Sequence, residues 1–183
     1  MPIVPRSYDD YAALPPDLQR WELIEGELFM SPAPTSFHQK LITRLVWMLA
    51  EQLETSGSAS VFPAPFDVIL SRNTTVQPDV VVIRKERIQL VTPRGLEAPP
   101  DLAIEVVSAS SKVQDRAVKR SLYAKFGVPE YWLVDPDAQN VEILVLGQGA
   151  YGQHVIFGAG DVLRSPQFDA VSMDVTKLFA PIA

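Results

Sequence analysis

The 183-residue chain predicts a mixed α/β (α+β) domain with a central mixed sheet flanked by helices. Two observations carry that reading. Two segments repeat apolar residues at helical spacing, 36–54 and 111–126, and between and around them lie short runs of β-branched residues bounded by Pro, Gly and Asn. A third observation bears on function: two of those apolar runs, 76-VQPDVVVI-83 and 102-LAIEVVS-108, each contain a carboxylate.

Composition narrows the chemistry. With 47% apolar and 21% charged residues, the chain has enough apolar surface for one core over 1–183. It contains no Cys, which excludes disulfides, thiolate metal sites and a Cys nucleophile. Only two His, His38 and His154, are present, so a metal would be held mainly by oxygen, which favours Mg²⁺ or Mn²⁺. The formal charge of −6 does not advertise a nucleic-acid binder, although a local basic patch would suffice. The N-terminus lacks the pattern of a signal peptide, and no apolar run reaches the ~18–20 residues of a membrane helix. The expectation is a cytoplasmic protein with no membrane association.

Residues 1–19 contain four Pro and read as an N-terminal arm with one short turn at Tyr8–Leu14. In 20-RWELIEGELFMS-31, Glu25-Gly26 between apolar flanks predicts a β-hairpin. The helix over 36–54 has Leu41, Ile42, Leu45, Val46, Leu49 and Leu53 on one face, with Ser36 and Gln39 as an expected capping box. Trp47 falls on its polar face with Lys40, Arg44 and Glu51, so a cover from the arm or from a second subunit is expected. Strands are expected at about 61–70, 79–84 and 102–107, with a Pro-rich loop at 92–100. The helix over 111–126, with Ser111 and Gln114 as its capping box, ends at Gly127 and Pro129. Strands at 130–135, 141–146 and 152–157, a turn at Pro136–Asn140 and a short element near 172–179 complete the order.

Asp79 begins one strand and Glu105 lies inside the next. Two buried carboxylates repel unless a cation lies between them, and a divalent ion is such a cation. It would also polarise a phosphate and help ionise a water, which fits phosphodiester hydrolysis. The alternatives are structural: an Asp after Pro caps a turn, and a Glu flanked by Val can face water from an edge strand.

The strings V-Q-P-D-V-V-V, D-L-A-I-E-V-V-S and D-R-A-V-K-R-S-L-Y-A-K-F-G-V-P-E-Y-W-L-V-D-P occur here in this order. They follow W-E-L-I-E-G-E-L and a His. This arrangement resembles the Uma2 family (DUF820), which is similar to the PD-(D/E)XK superfamily that includes type II restriction endonucleases. The resemblance runs from Trp21 to Pro136 and continues weakly beyond. It implies a restriction-endonuclease-like core: a helix, three antiparallel strands, a helix and a further strand, with the metal at the sheet's edge. It implies Asp79 and Glu105 as catalytic and metal-binding acids, with the backbone carbonyl of Val106 as a further ligand. The superfamily places Lys two residues after the acid, where this chain has Val107; Uma2-type sequences carry a Lys on the next helix, which corresponds to Lys119. Lys119 could equally pair with Asp115 on the helix surface. Accessory roles fall to Glu22, His38 and Gln77, against plain solvated positions. Lys112, Arg116, Lys119, Arg120 and Lys125 read as a basic helix face, of which Lys112, Arg116 and Arg120 would contact nucleic acid.

The expected activity is therefore a Mg²⁺- or Mn²⁺-dependent deoxyribonuclease acting on DNA, as a homodimer or a monomer. Two other classes stay open. One is a catalytically inactive module that keeps the fold and binds nucleic acid or a protein. The other is a hydrolase, such as a glycosidase, whose acid pair works without metal.

Overall fold

The computed structural model describes residues 7–14, 20–31, 34–107 and 114–182. A five-residue helix α1 (Tyr8–Ala12) opens it, capped reciprocally by Ser7 and Asp10. The hairpin β1 (Arg20–Ile24) and β2 (Glu27–Ser31) follows as the Glu-Gly pair predicts, because Glu25 and Gly26 both take positive φ, 51° and 84°. Helix α2 spans Ser36–Leu53 and buries Leu41, Ile42, Leu45, Leu49 and Leu53. Its cap differs from the expected Ser36–Gln39 box: Thr35 is the N-cap, and its hydroxyl accepts the His38 N–H.

The apolar run expected as one strand at 61–70 is two strands, β3 (Ala59–Pro63) and β4 (Val68–Ser71), separated by a cis Ala64–Pro65 bond and lying in different sheets. Then come β5 (Thr74–Val76), β6 (Val80–Arg84), a 3₁₀ segment at Lys85–Leu90, and the two-residue strands β7 (Val91–Thr92) and β8 (Gly95–Leu96). The segment expected as a Pro-rich loop thus contributes a short ribbon. Strand β9 is Leu102–Val106. The second helix begins in the described residues as a π turn, Gln114–Lys119, that continues as α3 (Arg120–Lys125) and ends at Gly127. Its expected Ser111 cap lies outside the described residues. Strands β10 (Glu130–Asp135), β11 (Asn140–Leu146), β12 (Tyr151–Phe157), β13 (Val162–Arg164) and β14 (Ser172–Asp174), and the short helix α4 (Val175–Leu178), complete the chain.

Two six-stranded sheets organise these elements. The larger has the order β12-β11-β10-β9-β6-β3 and the smaller β2-β1-β5-β4-β8-β7. In the larger sheet β3 and β6, and β6 and β9, pair antiparallel, while β9 and β10 are parallel. Central strands with both faces covered lose the apolar/polar alternation, and β6, β9 and β10 are buried along nearly their whole length. Val80, Val82, Leu102, Ile104, Trp132 and Val134 face α2, α4 and the β13–β14 pair. Val81, Ile83, Ala103, Val107, Tyr131 and Leu133 face α3 and the smaller sheet.

The C-terminal segment is fastened to the first of these faces by Glu130. Its side chain is fully buried and accepts hydrogen bonds from Trp132 Nε1, Ser165 Oγ and the Gln167 N–H. Burial pushes its carboxyl above the usual range, and those three bonds partly offset the rise.

Trp47 is 64% exposed. The described part of the arm does not cover it, because Tyr8 and Tyr11 dock on Arg94, Trp21 and Asp67 instead. No helix among the described residues is long and apolar enough to cross a membrane.

Gly95 is held at φ +124°, and a Cβ there would stand 2.2 Å from the Asp67 carbonyl oxygen, the acceptor of the Leu96 N–H. Gly95→Ala is expected to destabilise the protein by about 2–4 kcal/mol in urea unfolding, through strained φ and loss of the β4–β8 contact. A change below ~0.5 kcal/mol would contradict that account.

Candidate active site

The site forms where the chain passes from the smaller sheet to the larger one. The β6–β9 register pairs Val80 with Ile104, so one step further Asp79 stands opposite Glu105. Side chains opposed in this way share one face of the sheet. That face is the one covered by α3 and the smaller sheet, so both acids point inward, and each is 3% exposed. From the smaller sheet, alternation along β1 turns Arg20 and Glu22 toward the same space. Lys119 and Tyr123 lie four residues apart on the second helix, hence on one of its faces. His38 enters from the first turn of α2.

Two charge clusters result. In the first, the Lys119 ammonium is 3% exposed and donates to Glu105 Oε1 at 2.8 Å, with Glu22 Oε1 at 3.1 Å. Glu105 Oε1 also accepts the Tyr123 hydroxyl at 2.8 Å. Burial, and then the Glu105 charge, push the Tyr123 hydroxyl well above its ordinary range, so it remains a donor. Tyr123 is itself fixed edge-on against Tyr131, with ring centroids 4.9 Å apart. Glu22 accepts the Gln77 N–H at 2.7 Å.

In the second cluster, Asp79 Oδ2 accepts the Val106 N–H at 2.8 Å. Oδ1 accepts Arg20 Nη1 at 2.8 Å and has His38 Nε2 at 3.5 Å. Burial alone would raise the Asp79 carboxyl, but His38 and the Arg20 charge outweigh it and hold the group at about 2. The Arg20 guanidinium, despite its burial, is pushed further up by Asp79, Glu105 and Glu22. A third polar group adjoins: the Gln77 side-chain amide donates to Asp67 Oδ1 at 2.8 Å and to the Tyr11 hydroxyl at 3.2 Å. Among the described residues, Arg20 Nε, Thr75 Oγ1 and Gln77 Oε1 are buried with no hydrogen-bond partner.

Of the residues singled out in the sequence, the structure brings Asp79, Glu105, Lys119, Glu22, His38 and Gln77 together. Glu22 is not the outward hairpin residue that alternation also allowed, being 1% exposed. Val106 meets Asp79 through its N–H. The acids sit at the ends of two interior strands, not at a lateral edge of the sheet, which corrects the expected position. The basic helix face is also corrected. Lys119 points inward, Arg120 Nη2 donates to the Tyr151 carbonyl at 2.9 Å, and Lys125 pairs with Glu25 at 2.6 Å. Residues 119, 120 and 125 diverge around the helix, so they cannot form one row. Lys112 and the Arg116 side chain lie outside the described residues.

Two contributors escaped the sequence reading, Arg20 and Tyr123. Tyr123 was legible as the i+4 neighbour of Lys119. Arg20 carried only the Arg-x-Glu alternation with Glu22.

The donor set suits a hard cation. Asp79 and Glu105 offer carboxylate oxygens from a rigid sheet, and Mg²⁺ is commonly held by one or two carboxylates, with waters and substrate phosphates filling its other positions. Among the described residues, no three acids or His form a complete ligand cage.

Comparison with known proteins adds three findings. The Uma2 family, described as "Putative restriction endonuclease", matches over residues 8–176. A solved structure described as a putative nuclease belonging to DUF820 from Anabaena variabilis superposes with a TM-score of 0.81 at 22% identity, covering 96% of this chain and 98% of that one. At that identity the likeness speaks to the fold. Curated proteins gave no match.

Because the folded Asp79 carboxyl is held at about 2, against an unfolded value of about 3.9, its contribution to stability is full above about pH 4. It is lost as pH falls from about 4 to 2, by on the order of 2 kcal/mol. Urea titrations across pH 2–7 should show that loss in the native protein and a shallower one in Asp79→Asn. Equal slopes would contradict the assignment.

Proposed function

Since this chain belongs to the Uma2 family, we propose that it is a divalent-metal-dependent nuclease that hydrolyses phosphodiester bonds in DNA. One observation carries the reading: two carboxylates opposed on neighbouring strands, Asp79 and Glu105, are buried in apolar surroundings, and the next helix delivers a Lys ammonium to Glu105. Burying three acids serves no packing purpose, and hydrophobic side chains of the same volume would be as stable or more so.

Asp79 and Glu105, with the Val106 carbonyl, would hold Mg²⁺ or Mn²⁺. Bound there, the ion would polarise the scissile phosphate and lower the pKa of a water. Lys119 stands at Glu105, where its ammonium can orient the attacking water or offset charge growing on the phosphate. It thereby supplies from the helix the cation that Val107, buried in the apolar cluster, cannot supply from the strand. Tyr123 and Glu22 position that ammonium and its carboxylate. His38, at the start of α2, is within reach of a phosphate oxygen beside Asp79. Nucleic-acid contacts by Lys112, Arg116 and Arg120 remain part of this proposal.

A non-catalytic module has one observation in its favour: Arg20 and Lys119 already compensate the acids, so the fold does not need a metal to satisfy them. Metal binding and cleavage separate the two readings. Calorimetry should detect Mn²⁺ binding to the native chain and lose it in Asp79→Ala and in Glu105→Ala. Unchanged affinity in both variants, or no cleavage of duplex or single-stranded DNA by the Mn²⁺-loaded protein, would favour the module.

Lys119→Met should reduce cleavage by roughly 10²–10³-fold while retaining Mn²⁺ affinity within a few fold. It should also lower unfolding stability by about 3–5 kcal/mol, since it strands Glu22 and Glu105 together. Assays at low temperature, with circular dichroism as the folding control, keep the two effects apart.

A further inference from the structure

We propose that Arg20 is a phosphate-binding residue, and that a divalent cation displaces it from Asp79 so that it can turn to the substrate. The inference rests on the nuclease reading above. Four features of the site carry it.

The first is position. The Arg20 side chain is 26% exposed and that of Asp79 only 4%, so Arg20 is the member of the pair that reaches solvent. The second is an incomplete set of bonds. Arg20 Nη1 is engaged by Asp79 Oδ1, yet Nε is buried with no partner among the described residues. Gln77 Oε1 is likewise buried without a partner among the described residues. A buried donor without an acceptor is uncommon, and one beside a candidate chemical centre calls for a ligand atom.

The third feature is competition. Asp79 Oδ2 is held by a backbone group, the Val106 N–H, whereas Oδ1 is held by side chains, Arg20 at 2.8 Å and His38 at 3.5 Å, which can turn away from it. A cation with two charges at Oδ1 would face the like charge of the guanidinium across a short distance in a buried space. One of them must yield, and Arg20 is the one with a route to solvent. The fourth is geometry. Nε–H and a terminal N–H form a planar fork that matches two phosphate oxygens, which a Lys ammonium cannot reproduce. Arg20 thus serves as the resting counter-ion of Asp79 before it meets substrate.

The test compares Arg20→Gln and Arg20→Lys with the native chain. Mn²⁺ affinity is measured by calorimetry, and kcat on short duplex DNA at saturating Mn²⁺. Arg20→Gln should bind Mn²⁺ roughly tenfold tighter, because a like charge is gone, yet cleave roughly 10²-fold more slowly, because a phosphate donor is gone. Arg20→Lys should keep Mn²⁺ affinity within about threefold and still lose most of kcat, because it retains charge without the fork. Tighter metal binding is not a result that a damaged fold produces. If the native chain binds Mn²⁺ and Arg20→Gln binds it no tighter, or cleaves at the native rate, this proposal fails alone. If the native chain shows no Mn²⁺ binding, the nuclease reading fails and this proposal with it. Should Arg20→Gln not give a cooperative melt, Arg20→Lys decides, and a native kcat in that variant overturns the proposal.

Discussion

A buried ammonium cannot keep its hydration shell, so it must be surrounded by acceptors that the fold supplies. Lys119 meets this requirement with Glu105 from the larger sheet and Glu22 from the smaller one. The same three-way contact fixes the helix relative to both sheets. Remove any member and the others become uncompensated charges in an apolar space. Tyr123 adds a neutral donor to Glu105, and the Gln77 N–H adds one to Glu22, so each acid is held by more than the ion pair. The arrangement is costly to desolvate and specific in its geometry, which are the properties expected of a site and not of a core.

Parts of this were legible in the chain. Carboxylates within runs such as V-Q-P-D-V-V-V and L-A-I-E-V-V-S conflict with the surroundings that their neighbours require, and that conflict marked Asp79 and Glu105. Helical spacing similarly marked the buried face of α2. The division of residues 61–70 between two sheets was not legible from periodicity, because every second residue is apolar on both sides of the break; Pro63 and Pro65 were its only sign. The basic residues of the second helix misled for a different reason. Charge in sequence says nothing about which side of the helix each residue occupies, and Lys119 turned inward while Arg120 and Lys125 found partners on other elements. Arg20 was hidden because its role depends on where the hairpin docks, which no local pattern encodes.

Asp79, the acid of the second cluster, illustrates how burial and partner charges oppose each other. Burial alone would favour a neutral Asp79, yet His38 and Arg20 keep it ionised. Glu130 shows the other outcome. It is fully buried, satisfied by neutral donors, and its carboxyl rises. The two side chains differ less in burial than in the sign of what surrounds them. One is kept as an anion by the cations beside it, and the other fastens the C-terminal segment.

Residues 77–79 are the short crossover between the two sheets, and four of the site's contacts begin there: the Gln77 N–H to Glu22, the Gln77 side chain to Asp67, and the Asp79 carboxylate to Val106 and to Arg20. A crossover has no freedom to adjust one end without moving the other. A slip of one sheet against the other therefore shifts Arg20 and Glu22, which the smaller sheet carries, relative to Asp79 and Glu105, which β6 and β9 hold together in the larger one. The meeting of these cations and acids is in effect a gauge of how the two sheets are seated, so packing defects far from the candidate site register there as mismatched charges.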